Sequence, residues 1–230
     1  RMQRQPFRLP VQWVNRPDLD FRGFCGTIAS GVVHPGDRVR VQPSGRESRV
    51  ARIVTDEGDL ARGRAGQSLT LTLTDEIDVS RGSVIAAAED PPEVADQFEA
   101  HLVWMHEDPL IPGRQYLMKA GTTTVAATVT QIKYQVNVNT LEHLAAQQLE
   151  LNGIAVCNLS LDRPIPFDPY EVNREMGSFI FIDRMHHGTV GAGMLDFALR
   201  RAHNIHLQHV DVDKSVRARA KGQLPGLVWF

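Results

Sequence analysis

Along most of this chain apolar and polar residues alternate with a period of two. Leu69, Leu71 and Leu73 alternate with Thr70, Thr72 and Thr74, and Val39 and Val41 alternate with Arg38, Arg40 and Gln42. Farther on, Val125, Ala127 and Val129 face away from Thr124, Thr128 and Thr130, while Ala155, Cys157, Leu159 and Leu161 share one face. Each run predicts a half-buried strand, with leucine or valine inward and threonine or arginine on the solvated side. The stretch Ser178-Phe179-Ile180-Phe181-Ile182-Asp183 is apolar on both faces and predicts a strand covered on both sides. A helical pattern is suggested only between Asn139 and Leu149, around Thr140, Glu142, His143, Ala145 and Ala146.

Turn chemistry divides these strands. From Phe21 to Val41 four glycines (Gly23, Gly26, Gly31 and Gly36) separate short apolar segments. Pro35-Gly36-Asp37 is a turn with a mechanism, since proline presets φ and glycine accepts the positive φ that follows. Phe7 to Val14, Ser48 to Val54 and Ser83 to Ala86 complete a first set of strands, which Ala88-Glu89-Asp90-Pro91-Pro92 ends as a linker. A second set begins near Phe98 and closes with Thr189-Val190-Gly191-Ala192-Gly193-Met194, read as a turn. Many short strands without a long helical period predict an all-β chain of two antiparallel β-barrels in series. The expected division is a barrel over 1–92, a barrel over 93–195 and an extended C-terminal linker over 196–226. Residues 227–230 would be the first strand of a further, truncated domain.

Composition narrows the function classes. With 230 residues and 42% hydrophobic content, the chain can bury two cores. Its net charge of −2 gives no basic excess for nucleic acid or an acidic membrane surface. No run reaches the roughly 18 apolar residues of a membrane span. Two widely spaced cysteines, Cys25 and Cys157, make no disulfide framework, so a reducing, cytoplasmic setting is expected.

Several residues invite a chemical reading. His203, His206 and His209 recur every three residues and His186 and His187 are adjacent, but a zinc site needs a fourth ligand held in place, and a solvated segment is the better account. The neighbouring carboxylates Glu107-Asp108 and Asp75-Glu76 point apart on a strand or turn and make no acid–base pair. Cys25 and Cys157 both read as small packed residues. Arg38, Arg40, Arg46, Arg49 and Arg52 fall on alternating strand positions and suit either a solvated barrel face or a docking surface.

The phrase Gly26-Thr27-x-x-x-Gly31-x-x-x-x-Gly36-Asp37-x-Val39 resembles the second-domain barrel of translation-factor GTPases such as elongation factor Tu. Longer phrases resemble the large GTPase subunit of bacterial ATP sulfurylase (sulfate adenylyltransferase subunit 1). They include Phe7-Arg8-Leu9-Pro10-Val11-Gln12-Trp13-Val14-Asn15-Arg16-Pro17, Asp20-Phe21-Arg22-Gly23 and Leu73-Thr74-Asp75-Glu76-Ile77-Asp78-Val79-Ser80-Arg81-Gly82. Phe179-Ile180-Phe181-Ile182-Asp183-Arg184 and Thr189-Val190-Gly191-Ala192-Gly193-Met194 carry the likeness through the second half, over roughly residues 2–195. In the tail, Asn204-Ile205-His206, Arg217-Ala218-Arg219-Ala220-Lys221-Gly222-Gln223 and Val228-Trp229-Phe230 are similar to the opening of adenylylsulfate kinases.

The resemblance implies translation-factor domain II and domain III barrels from a bifunctional sulfate-activating enzyme, in which GTP hydrolysis drives formation of adenylylsulfate from ATP and sulfate. It implies a GTPase domain before Arg1, a kinase domain after Phe230, a separate small catalytic subunit as partner, and GTP, ATP and Mg in those other domains. No Gly-x-x-x-x-Gly-Lys-[Ser/Thr] and no Asn-Lys-x-Asp occurs in these residues, so this stretch is expected to hold no nucleotide, cofactor or metal and to catalyse nothing by itself. The candidate domain-interface residues are Thr189, Val190, Gly191, Ala192 and Gly193, with Arg22 and Gly23. The alternative is the barrel pair of an elongation factor that binds aminoacyl-tRNA, which would want a basic surface.

Overall fold

The computed structural model describes residues 2–18 and 21–199. A short 3-10 turn, Met2–Arg4, precedes ten strands of the first half. They are β1 (Arg8–Pro10), β2 (Trp13–Asn15), β3 (Gly23–Thr27), β4 (Val32–Val33) and β5 (Arg38–Gln42). β6 (Arg46–Thr55), β7 (Gly58–Asp59), β8 (Gly63–Arg64), β9 (Ser68–Leu73) and β10 (Val84–Ala87) follow. The second half holds β11 (Glu93–Trp104), β12 (Gln115–Ala120), β13 (Thr123–Val136), β14 (His143–Leu144) and β15 (Ile154–Phe167). It ends with a one-turn helix α1 (Arg174–Gly177), β16 (Ser178–Ile182) and β17 (Thr189–Ala198).

Every pairing between named strands is antiparallel; each half forms its own main sheet, and β4 and β8 pair as a separate two-stranded ribbon in the first half. In the first, the order is β1-β10-β5-β6-β9-β3-β2. Its two ends belong to one bent stretch of chain. β1 pairs β10, then Val11 and Gln12 donate to Ser83 and Cys25, and β2 pairs β3. The predicted single strand from Phe7 to Val14 is thus two short strands, and the bend between them closes the barrel. The predicted turn at Pro35-Gly36-Asp37 is present: Gly36 has φ +92 and the Asp37 carboxylate accepts from the His34 amide at 2.8 Å.

The second sheet runs β12-β16-β17-β11-β15-β13, and β13 pairs back onto β12. Six strands therefore close on themselves, which removes any free edge from the girth. Its core holds Phe98, Trp104, Tyr116, Phe167 and Phe181, with Trp104 edge-on to Tyr116 at 5.5 Å and Tyr116 stacked on Phe181 at 5.5 Å. The first barrel is filled by smaller side chains, among them Leu9, Ile28, Val39, Val41, Ile53, Leu71 and Ile85. The alternations named above hold: Val125, Ala127 and Val129, and Ala155, Cys157, Leu159 and Leu161, are all buried.

Four expectations are corrected. Asn139–Leu149 is not helical; it is a turn with Leu141 at φ +60, the two-residue strand β14 and an irregular return that buries Leu149, because the exposed Leu141 and Leu144 leave no continuous apolar stripe to pack on the barrel. The segment Thr189–Gly193 is not a turn but the start of β17, and the turn that precedes it spans 183–188. β17 runs on to Ala198, past Leu195 where the barrel was expected to end, because Ala198 pairs Phe98. β16 buries Phe179 and Phe181 but leaves Ile180 and Ile182 only partly covered, so it is not enclosed on both sides. The histidines at 203, 206 and 209 and the strand expected at 227–230 lie outside the described residues.

Candidate functional site

The expected interface residues separate into two groups. Arg22 and Gly23 belong to the first barrel. The Arg22 guanidinium lies 5.6 Å from the Phe24 ring centre and 3.8 Å from the Asp78 carboxylate. A Cβ on Gly23 would stand 2.4 Å from Thr70 Cγ2 and 2.7 Å from the Phe21 ring. Glycine here makes room for that ring, so the close approach serves the barrel's own outer layer.

Thr189 to Gly193 belong to the second barrel, and along β17 their roles alternate. Val190, Gly191 and Gly193 are buried while Ala192 is partly exposed. A Cβ on Gly193 would meet Phe179 Cζ at 2.3 Å and the His101 carbonyl at 2.6 Å; one on Gly191 would meet Trp104 at 3.2 Å. Phe179 is the direct cross-strand partner of Gly193 and fills the space over it. Those two glycines therefore seat core aromatics rather than admit another domain.

Ala192 points the other way. It pairs Ile180 on one side and Val103 on the other, and Ile180 in turn pairs Lys119. This outward row lies in a shallow depression of 530 Å³ whose lining includes Met194 and Tyr170. Val103, Ala192 and Ile180 form a partly covered apolar row, bordered by the exposed Lys119, that another domain can cover. The sequence signal for it was Ile180 and Ile182, apolar where a solvated strand face would carry threonine.

Sequence reasoning missed the junction between the barrels. Arg8, on β1, reaches Asp168 just after β15, with Nε–Oδ2 3.0 Å and Nη2–Oδ1 3.1 Å. The Arg8 Nη1 donates to the carbonyls of Phe7 and Asp90. Beside this pair, Met176 of α1 is buried among Ala29, Val84 and Ala86 of the first barrel. Asn173 caps α1 by accepting from the Met176 amide, and its Nδ2 donates to Ser30 Oγ at 3.2 Å. Gln5 donates to the Val172 carbonyl, and Thr123 Oγ1 donates to the Gly82 carbonyl at 3.0 Å. Ionic, apolar and hydrogen-bonded contacts together hold residues 2–199 as one compact unit.

The remaining tempting groups are engaged locally. Arg38 and Arg40 both bind Glu47, and these hydrogen bonds, that of Arg40 foremost, hold the Glu47 carboxyl below its ordinary value. Arg52 forms a two-pronged pair with Asp59, and Arg49 donates to the Gly36 carbonyl. Asp75 accepts from Ser48 and Thr74, which lowers its pKa. Asp183 accepts from the His186 and Met185 amides and from Arg114; the amide bonds, His186 first, lower its pKa. His186 and His187 sit in that exposed turn. Cys157 is fully buried, and burial pushes its thiol up to about 12. Cys25 is half-buried, its Sγ 3.2 Å from Thr70 Oγ1.

Two barrels packed in this way are a known class of fold. The chain superposes on Sup35 complexed with GDP with a TM-score of 0.78 at 18% identity, covering 86% of this chain and 49% of that one. Residues 97–196 match the family described as GTP-eEF1A C-terminal domain-like.

Relatives of much higher identity place the chain more narrowly. It is 54% identical over 225 residues to the bifunctional enzyme NodQ of Rhizobium sp. (strain N33), covering 98% of this chain and 35% of that protein. It is 55% identical over 222 residues to the bifunctional enzyme CysN/CysC of Xylella fastidiosa (strain Temecula1), covering 96% and 36%. Against sulfate adenylyltransferase subunit 1 of Alteromonas mediterranea it is 52% identical over 191 residues, covering 83% and 41%. The chain is thus a homologue of one segment of these enzymes and spans about a third of the length of the bifunctional ones.

Proposed function

We propose that these residues supply the two non-catalytic barrels of the GTP-hydrolysing large subunit of a sulfate adenylyltransferase, in a cytoplasmic protein that also carries adenylylsulfate kinase. One observation carries the bifunctional reading. The match to NodQ extends over 98% of the chain, whereas the match to sulfate adenylyltransferase subunit 1 covers 83%. The added length therefore has its counterpart in the bifunctional proteins. GTP, ATP and Mg belong to the neighbouring domains in this reading, and adenylyl transfer belongs to a separate small subunit.

The mechanical part of the proposal is docking. Ala192, with Val103, Ile180 and Met194, is the face on which the GTPase domain rests. The buried junction makes the two barrels move together, so a displacement at that face is transmitted to the first barrel. The aminoacyl-tRNA alternative is weaker: the likeness to Sup35 is of fold alone, and the net charge of −2 offers no basic excess.

Calorimetry on the 230-residue chain with Mg-GTP and Mg-ATP tests the assignment of nucleotide chemistry to other domains. The expected result is no binding in the micromolar range. Micromolar affinity for either nucleotide that depends on its base would overturn the reading.

A further inference from the structure

A second depression, of 390 Å³, lies at the barrel junction away from the outward row of β17. One wall is the turn before β10, carrying Ser80, Arg81 and Ser83; the other is the start of β13 and the bend of β15, carrying Thr122, Thr124 and Arg163. Its volume falls within the ~300–1,000 Å³ range of small-molecule clefts. The two arginines face it from opposite barrels. Each is steadied by one bond to a carbonyl: Arg81 Nη1 to Gln12 at 2.8 Å and Arg163 Nη2 to Thr124 at 2.7 Å. Neither forms an ion pair among the described residues, unlike Arg8, Arg38, Arg40, Arg52 and Arg114.

The lining fits one kind of ligand. No carboxylate lines this cleft. Asp162, next to Arg163, accepts from the Ala126 amide, and Glu175 borders a smaller adjoining hollow that shares Gly82, Thr122, Thr123 and Pro166 with the cleft but is not itself part of the cleft lining. Hydroxyl groups surround the two cations, and Pro43, Pro164 and Pro166 stiffen the walls. No aromatic ring lines the cleft, so a nucleobase would find no stacking platform. Guanidinium forks with free N–H groups recognise tetrahedral oxyanions, and hydroxyls can donate to the remaining oxygens.

We infer that this cleft binds a sulfate or phosphate group, free or as the end of a small molecule, bridged between Arg81 and Arg163. Because the arginines belong to different barrels, the bound anion ties the barrels together. Recognition is by the oxyanion and not by any base attached to it.

Titration calorimetry of the 230-residue chain with sodium sulfate, sodium phosphate and AMP, against sodium chloride at matched ionic strength, tests this. Saturable one-site binding is expected for sulfate and phosphate, with AMP within about tenfold of phosphate, and no saturation with chloride. Arg81→Gln and Arg163→Gln should each weaken binding by about tenfold or more, the loss expected for one charge-assisted fork. Arg62→Gln, outside the cleft, should leave it unchanged. Melting curves of the variants confirm that they remain folded, since both arginine heads face solvent. Binding matched by chloride, binding that survives in folded Arg81→Gln and Arg163→Gln, or AMP binding that does not depend on them would each overturn the inference.

Discussion

Arg8 and Asp168 are joined by two parallel hydrogen bonds across the barrel junction, with side chains only 4% and 11% exposed. A pair so enclosed has lost most of its hydration, and its attraction in the interior roughly offsets that loss. Removing one partner is another matter, because the survivor stays buried and unpaired. Arg8→Met should destabilise the chain by about 3–5 kcal/mol. Arg8→Met combined with Asp168→Leu should recover much of that loss. Denaturant unfolding of the two singles and the double closes the cycle, and additive losses would contradict the coupling.

The contrast between adjacent positions on β17 gives a second expectation. Gly193→Ala drives a methyl group into the Phe179 ring and the His101 carbonyl and should cost about 1–3 kcal/mol. Ala192→Trp projects from the outer row and should barely move the melting temperature. If that row is the docking face proposed above, the tryptophan should nevertheless abolish GTP-stimulated adenylyl transfer in the full-length protein. Normal stimulation in a folded Ala192→Trp enzyme would remove that face from the account.

Much of this was legible in the chain. Leu69 and Leu71 against their threonines, and Cys157 among Ala155, Leu159 and Leu161, declare strand and core face directly, since period-two patterning records one-sided burial. The turn character expected of Thr189–Gly193 failed for a physical reason. Glycine there answers to the bulk of Phe179 and Trp104 on neighbouring strands, a long-range demand that local turn chemistry cannot express. The junction was illegible on the same ground. Arg8 and Asp168 are 160 residues apart, and neither stands in a pattern that marks it. The cleft between Arg81 and Arg163 likewise exists only once the barrels are docked.

Thiol chemistry should separate the two cysteines. With its pKa pushed up to about 12 and no exposed surface, Cys157 is almost wholly protonated near neutral pH and out of reach. A maleimide or disulfide reagent should modify at most Cys25 in the native chain, and both cysteines after denaturation. Rapid modification of Cys157 under native conditions, read by peptide mass, would contradict the packing of the second barrel.

Asp183 supplies an acid-range signature. Its folded pKa lies below the unfolded value, held there by the His186 and Met185 amides. The stability it contributes is therefore complete above the unfolded pKa of about 4 and is lost as pH falls through the lower folded value. Asp183→Asn should melt below the parent chain at neutral pH, and the gap should close on acidification below about pH 4. A gap independent of pH would mean that shape and not charge secures this turn.

The central claim, that these residues are the interchangeable barrel pair of a sulfate adenylyltransferase large subunit, is tested most directly by exchange. Residues 2–199 would replace the matching segment of sulfate adenylyltransferase subunit 1 of Alteromonas mediterranea, to which the chain is 52% identical over 191 residues. Adenylylsulfate formation by the chimera with its small subunit would then be measured with and without GTP. The account predicts GTP-stimulated turnover within about tenfold of the parent enzyme, a change of about 1.4 kcal/mol in the barrier. A chimera that folds, hydrolyses GTP and still shows no stimulation of adenylyl transfer would contradict it.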